Sequence, residues 1–304
     1  MNLKKAFGSF ALLFAAVIWG FAFVAQTSGA DNIPTFTFNF LRSYIAVIFL
    51  ALLSFVIAKA KPADKKCAKA SLKSLALGGI ICGTALFAAT SFQQYGISIY
   101  PEGANASSRA AFITAIYVLL VPVFSAMIFK KRINVSVWCG VVIAIFGMYL
   151  LCFGRGIGAL YTGDAMVFIS ALCFCLHILV VDHFVKSNDG ILLSCVQFFV
   201  MGTLSLVCML IFETPSFDAI LNSLLPILYL GIMSSGVAYT LQIIGQKHTE
   251  PAIASIIMSL ESVFGAVGGW LILGDLLSAK EFIGCALVFS AILIAQSSEF
   301  RKKS

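Results

Sequence analysis

Phe129-Lys-Lys-Arg-Ile-Asn-Val-Ser-Val-Trp-Cys-Gly140 ends one apolar run, turns on a few charged and polar residues, and opens a second apolar run with an early glycine. Leu273-Gly-Asp-Leu-Leu-Ser-Ala-Lys-Glu-Phe-Ile-Gly284 repeats that plan near the other end of the chain. Setting the two stretches in register places Tyr117 opposite Glu261. Two further pairings hold in the earlier part of each half. Phe38-Asn-Phe-Leu-Arg42 falls against Leu193-Ser-Cys-Val-Gln197, and Trp19 against Phe174. The chain thus reads as one unit written twice, at residues 1–152 and 163–297, followed by a basic tail at 298–304.

Working outward from the repeat, each unit holds five apolar runs. A helix needs about 20 residues to span a bilayer, and the runs predict helical spans at 6–24, 33–57, 74–96, 104–128, 133–152, 163–184, 190–212, 220–243, 252–273 and 279–297. Of the 304 residues 61% are hydrophobic and 11% charged, against about 25% charged in soluble domains. In lipid every backbone polar group must be paired internally, so only helices or closed barrels span. These runs exceed the roughly ten-residue alternating strands of a barrel. The expected fold is all-α, a polytopic membrane protein of ten transmembrane helices. Five is an odd number, so the second unit enters the membrane from the opposite face. That makes an inverted repeat, an arrangement that puts a solute near the midplane between halves.

Charge orients the molecule. Sixteen of the twenty Lys and Arg fall at the termini or in alternate loops on one side, leaving Arg42, Arg109, Arg155 and Lys280 elsewhere. Basic loops stay in the cytoplasm, which predicts an inner-membrane protein with both termini cytoplasmic. The net charge of +7 therefore marks topology and lipid contact rather than nucleic acid. The first run, at about nineteen residues, is too long for an ordinary signal-peptide core and lacks a clear cleavage site. The nine cysteines stand singly, mostly within apolar runs, with no metal-type pairing. Neither a metal nor a cofactor is expected.

Several motifs then point to a family. Trp19-Gly20, Pro34 ahead of Arg42, Tyr117-Val-Leu-Leu-Val-Pro122, Ser259-Leu-Glu-Ser262 and Gly269-Trp-Leu-Ile-Leu-Gly-Asp-Leu-Leu277 together resemble the EamA family of the drug/metabolite transporter superfamily. The resemblance runs over nearly the whole chain as two five-span units. It implies a ten-helix carrier that exports or exchanges small metabolites, often amino acids or related compounds. This chain has Glu261-Ser262 where the family usually shows Glu-Pro, Gly274-Asp275 for Gly-Glu, and Phe174-Cys175 for Trp-Ala.

Polar groups at membrane depth are costly, and each is a candidate functional group. Glu261 lies near the middle of the ninth run. At about 100° per residue it shares a helix side with Ala254, Gly265 and Gly268, away from Ile256, Leu260, Val263 and Leu271. It is a coupling or substrate-ammonium site, or else a structural carboxyl. Arg42 can clamp a substrate carboxylate, or can snorkel or pair with an acid such as Glu261. Arg109, at the start of a helix after Pro101-Glu-Gly103, is the candidate gate. Gln93, Tyr239 and Gln242 can stand in for a solute's lost water, or serve as interhelical glue. Tyr117, as the counterpart of Glu261, belongs near the cavity, and Trp19 either walls that cavity or packs in the core. His177 is a cavity residue or a hydrogen-bonded core histidine. Five residues rotate it about 140° from Asp182, so the two do not face one substrate. The predicted substrate-binding set is Trp19, Arg42, Gln93, Tyr117, His177, Tyr239, Gln242 and Glu261.

No phosphate-binding GxxxxGK[ST] motif occurs and the loops are too short for an ATPase domain. The expected partners are a small-molecule solute, membrane lipid, and protons or a counter-solute. An intramembrane lipid-modifying enzyme would need converging acids, histidines or metal ligands. A passive channel would show no counterflow.

Overall fold

The computed structural model describes residues 3–30, 33–60, 72–102, 104, 106–130, 133–153, 160–268 and 278–301, and no strand occurs among them. Helices α1 (Leu3–Ala30), α2 (Thr35–Ala60) and α3 (Leu72–Ser98) run unbroken, and the fourth segment is split into α4 (Ala106–Ala115) and α5 (Tyr117–Phe129). Next come α6 (Val135–Phe153), α7 (Thr162–Phe184) and α8 (Gly190–Phe212). The eighth segment is composite: α9 (Phe217–Asn222), α10 (Leu224–Leu228), a π-helix (Tyr229–Ala238) and α11 (Tyr239–Gln246). A ninth, again split, comprises α12 (Pro251–Met258) and α13 (Glu261–Gly268), and α14 (Ala279–Arg301) lies along α6. Eight of these ten segments are long and apolar enough to cross a membrane, and Val135–Leu150 is a shorter apolar helix. Large side chains such as Phe10, Leu52, Phe55 and Leu210 point outward, a surface suited to lipid rather than water. The stretch 269–277, which carries one of the sequence motifs, lies outside the described residues.

The two halves are related residue by residue. Helices approach closely where glycine removes the side chain, and several of these contacts come in matched pairs. A Cβ on Gly140 would meet the carbonyl of Ala291, and one on Gly147 the carbonyl of Gly284. Gly284 is the counterpart of Gly140 in the register read above, and Ala291 that of Gly147, so exchanging the halves maps this α6–α14 crossing onto itself. Likewise Gly231 faces Ile45 and the Arg42 carbonyl, while Gly83 faces Val200 and the Gln197 carbonyl. Gly245 faces Leu12 and the Gly8 carbonyl; Gly96 faces Val167 and the Gly163 carbonyl. Helices α2 and α8 pack directly on each other, their own counterparts. They run antiparallel: Glu213, just beyond the end of α8, accepts from the backbone N–H of Phe36 and Thr37 at the start of α2, at 2.8 and 2.7 Å.

The sequence reading treats the fourth and ninth segments as continuous helices, and the structure corrects this. Each breaks immediately before the paired positions Tyr117 and Glu261. At both breaks the ladder tightens to a three-residue bond, Ile116 N–H to the Ile113 carbonyl and Leu260 N–H to the Ile257 carbonyl, each 3.2 Å. In the ninth segment the Ser255 and Ser259 hydroxyls donate to carbonyls three residues back at 2.9 and 2.7 Å, a back-bonding that bends helices. In the fourth, Pro122 lies inside α5 and offers no N–H to the ladder. One feature is not duplicated. The π-helix in the eighth segment has no partner in α3. Thirteen positions separate Gly83 from Gly96, but fourteen separate Gly231 from Gly245. A π turn absorbs that extra residue by widening.

Candidate functional site

The split helices, the π-helix, the second half of α1, the first half of α2, α3, α7 and α11 line a cavity between the two repeats. Aromatic and apolar walls come from Trp19, Phe23, Phe174, Ile178 and Met258, and polar groups from Gln26, Arg42, Gln93, Thr114, Tyr117, Ser234, Tyr239, Gln242 and Glu261. A mainly apolar pocket carrying a few convergent polar groups is the usual form of a small-molecule site.

The helix breaks position the central pair. Tyr117 and Glu261 are the first residues of α5 and α13, and the Tyr117 hydroxyl donates to Glu261 Oε1 at 3.1 Å. The register that set these residues opposite one another in sequence thus corresponds to direct contact in space. Arg42 opens onto the same cavity, yet no carboxylate lies within ion-pair distance of it among the described residues, so the Arg42–Glu261 pairing allowed by the sequence is not formed. Its Nε, Trp19 Nε1, Gln26 Oε1 and Gln242 Oε1 are buried without protein partners. A buried polar atom left unsatisfied costs about 1–3 kcal/mol, and all four of these atoms belong to residues that line the cavity. Gln93 is tied down by its bond to the Thr114 hydroxyl, 2.9 Å. The Trp19 ring stands edge-on to Tyr239 with centroids 4.8 Å apart.

Two predicted site residues lie elsewhere. His177 is fully buried behind the wall, bonded to Gln197 Oε1 at 3.1 Å and edge-on to the Tyr239 ring. Asp182 is engaged separately by Lys186 at 2.8 Å. Arg109 sits beyond the cavity, toward the ends of α3 and α7. Its Nε and Nη2 grip the two oxygens of Asp164 at 3.0 and 2.6 Å. Asp164 also accepts from the Tyr100 hydroxyl at 2.8 Å and the Tyr161 N–H at 2.9 Å, and the Arg109 guanidinium lies 4.8 Å from the Tyr161 ring centre. Burial, then the bond to Asp164, pushes the Tyr100 phenol up from its ordinary range, so it remains a donor. This cluster ties the first repeat to the second at one end of the bundle. Sequence reading missed Asp164, Gln26 and Ser234. Gln26 lies one helical turn beyond Ala22 and two beyond Trp19, a spacing that marks a shared face. No group of three or more His, Cys, Asp or Glu able to hold a metal occurs among the described residues.

Comparison with known proteins places this geometry. A crystal structure of a protein superposes with a TM-score of 0.76 at 17% identity, covering 98% of this chain and 99% of its own, a likeness of fold. An uncharacterized transporter of Archaeoglobus fulgidus is 27% identical over 293 residues, 96% of this chain and 87% of the relative. The uncharacterized transporter YoaV of Bacillus subtilis is 24% identical over 298 residues, 96% of this chain and 97% of its own. The sequence profile of one family matches twice, at residues 6–153 and 161–296. With that double match over a duplicated helical bundle, the chain belongs to the EamA-like transporter family, a family of the drug/metabolite transporter superfamily, and is a multi-pass membrane protein.

Proposed function

We propose that this chain is a secondary transporter that exports small amphipathic solutes, amino acids or related compounds, across the cytoplasmic membrane by alternating access. The observation that carries this reading is the inter-repeat cavity, with apolar walls and four buried polar atoms lacking partners. Repeats 1–152 and 163–297 rock about the cavity, both termini and the tail 298–304 lie in the cytoplasm, and a proton or counter-solute gradient supplies the driving force. Glu261 and Tyr117 form the coupling pair, and Arg42, Trp19, Gln93, Tyr239 and Gln242 contact the solute. Reconstitution into liposomes with labelled amino acids, nucleosides and amphipathic cations, with and without a proton gradient, tests it. Saturable counterflow of at least one solute is expected, and a complete absence of counterflow would remove the carrier reading. Glu261→Gln is expected to keep counterflow while flattening its dependence on pH. An unchanged pH dependence takes Glu261 out of coupling.

Arg109 acts as a gate in this reading, closing the cavity at the Asp164 end. Arg109→Ala removes both arms of a two-point clamp and leaves a half-buried carboxylate without its cation. Truncating one partner of such a pair destabilises by about 3 kcal/mol or more when burial is deep, and less here because Asp164 retains two other donors. The expected result is a lower melting temperature together with faster passive leak of solute from loaded liposomes. A variant whose leak matches the parent shows that the cluster is a structural tie alone.

A further inference from the structure

We propose that His177 and Gln197 line a second lobe of the solute cavity, closed in this structure, which is the two-fold counterpart of the lobe that Arg42 lines. The inference rests on the carrier reading above and deepens it.

The cavity lining divides under exchange of the two repeats. Much of it maps onto itself: Trp19 exchanges with Phe174 and Tyr117 with Glu261, and all four line the cavity. The remainder, including Ala22, Gln26 and Arg42, has no open counterpart. In the register that pairs Trp19 with Phe174, Ala22 corresponds to His177, Gln26 to Val181 and Arg42 to Gln197. All three counterparts are fully buried. The backbone supports this mapping independently of side-chain identity. Gly231 abuts the carbonyl of Arg42 and Gly83 the carbonyl of Gln197, so each helix is held by its neighbour at the same place. Arg42 and Gln197 each stand seven residues into their helices, which run antiparallel. The two lobes therefore lie toward opposite ends of the bundle.

The closed lobe carries unmet polar atoms of its own. His177 Nε2 and Gln197 Oε1 satisfy each other, but His177 Nδ1 and Gln197 Nε2 are buried without partners, as Arg42 Nε is in the open lobe. Two apolar residues here would pack without leaving a polar atom unmet. Opening this lobe would offer both orphaned atoms to water or solute. Closing the Arg42 lobe at the same time would give a carrier two alternating exposures of one central site. Ser234 of the π-helix lines the open lobe.

The test uses cysteine reporters in the full chain, in right-side-out and inside-out membrane vesicles. They are treated with a membrane-impermeant maleimide, and labelled peptides are assigned by mass spectrometry so that native cysteines do not confuse the readout. Arg42→Cys is expected to be labelled from one face only. Gln197→Cys is expected to be labelled from the opposite face only, as is Val181→Cys, an apolar position outside the proposed binding groups that covers the case of a poorly folded Gln197 variant. Reporters at both 197 and 181 that resist labelling from either face, or that label from the same face as Arg42→Cys, overturn the inference. Counterflow by the unsubstituted protein is scored separately. Its absence removes the carrier reading itself, whereas counterflow with unreactive reporters removes the second lobe alone.

Discussion

Arg42→Met is expected to make the solubilised protein more stable to heat and, at the same time, to cut transport by roughly 10- to 100-fold in kcat/KM. Both effects come from one fact: Arg42 is 3% exposed and has no anionic partner among the described residues. Holding a cation out of water costs several kcal/mol even after relaxation, and replacing buried charge with well-packed apolar groups often stabilises by about 1–4 kcal/mol. Methionine is long, unbranched and adaptable enough to occupy the vacated path. A gain at the lower end of that range is anticipated, because Arg42 faces the cavity rather than close-packed side chains on every side. At about 2–4 °C per kcal/mol for a large domain, a melting curve resolves it. The transport loss follows from a charge-assisted hydrogen bond to the solute, about 1.5–3 kcal/mol. Arg42→Lys keeps the charge but not the planar fork and should fall between parent and methionine variant. A structural Arg42 predicts the reverse on stability: the methionine variant melts lower, and any transport loss tracks the lost protein. A stable variant with parental kinetics would mean that Arg42 does not meet the solute.

The duplicated unit was legible because apolar runs and charged turns survive where residue identity does not. The register drawn from the 129–140 and 273–284 stretches was enough to bring Tyr117 against Glu261, and the contact between them follows from the two-fold relation rather than from either residue alone. The breaks at Ile116 and Leu260 were not legible. A helical projection assumes one continuous rotation, so the side assigned to Glu261 applies only within its own segment. Asp164 is not legible as a site residue, because its pairing with Arg109 spans 55 residues and leaves no local trace. The π-helix is visible only as one extra residue between Gly231 and Gly245, and that count gains meaning once the matching Gly83 and Gly96 are seen to make equivalent contacts. His177 was singled out for its polarity, but which lobe is open depends on conformation, which a linear pattern does not encode.

Gly20→Ala is expected to be among the most damaging single-methyl changes in the chain, whereas Gly265→Ala, on the facing helix of the same crossing, should be tolerated. A Cβ built on Gly20 lies 2.6 Å from the backbone nitrogen of Gly265 and 2.6 Å from Phe264 Cβ. Those atoms belong to the α13 backbone and its first side-chain carbon, so no rotamer change relieves the clash and α1 must move away from α13. In a bilayer no hydrophobic gain between helices offsets the separation, because association there depends on close packing. Overpacking of this kind costs about 1–3 kcal/mol, and more when only backbone can yield. A Cβ on Gly265 meets nothing nearer than the Gly20 carbonyl oxygen at 3.4 Å, an ordinary contact. Alanine there also removes the roughly 0.5–1 kcal/mol penalty of a helical glycine. Melting curves should therefore show a drop of several degrees for Gly20→Ala and none for Gly265→Ala. The functional consequence extends further, because Trp19 adjoins Gly20 and stands against Tyr239 across the cavity. Pushing α1 outward widens that wall, so surviving Gly20→Ala protein should bind solute more weakly, with KM rising before kcat falls. Equal stability of the two alanine variants would mean that α1 and α13 do not approach at this distance, and the cavity drawn between them would then have a different shape.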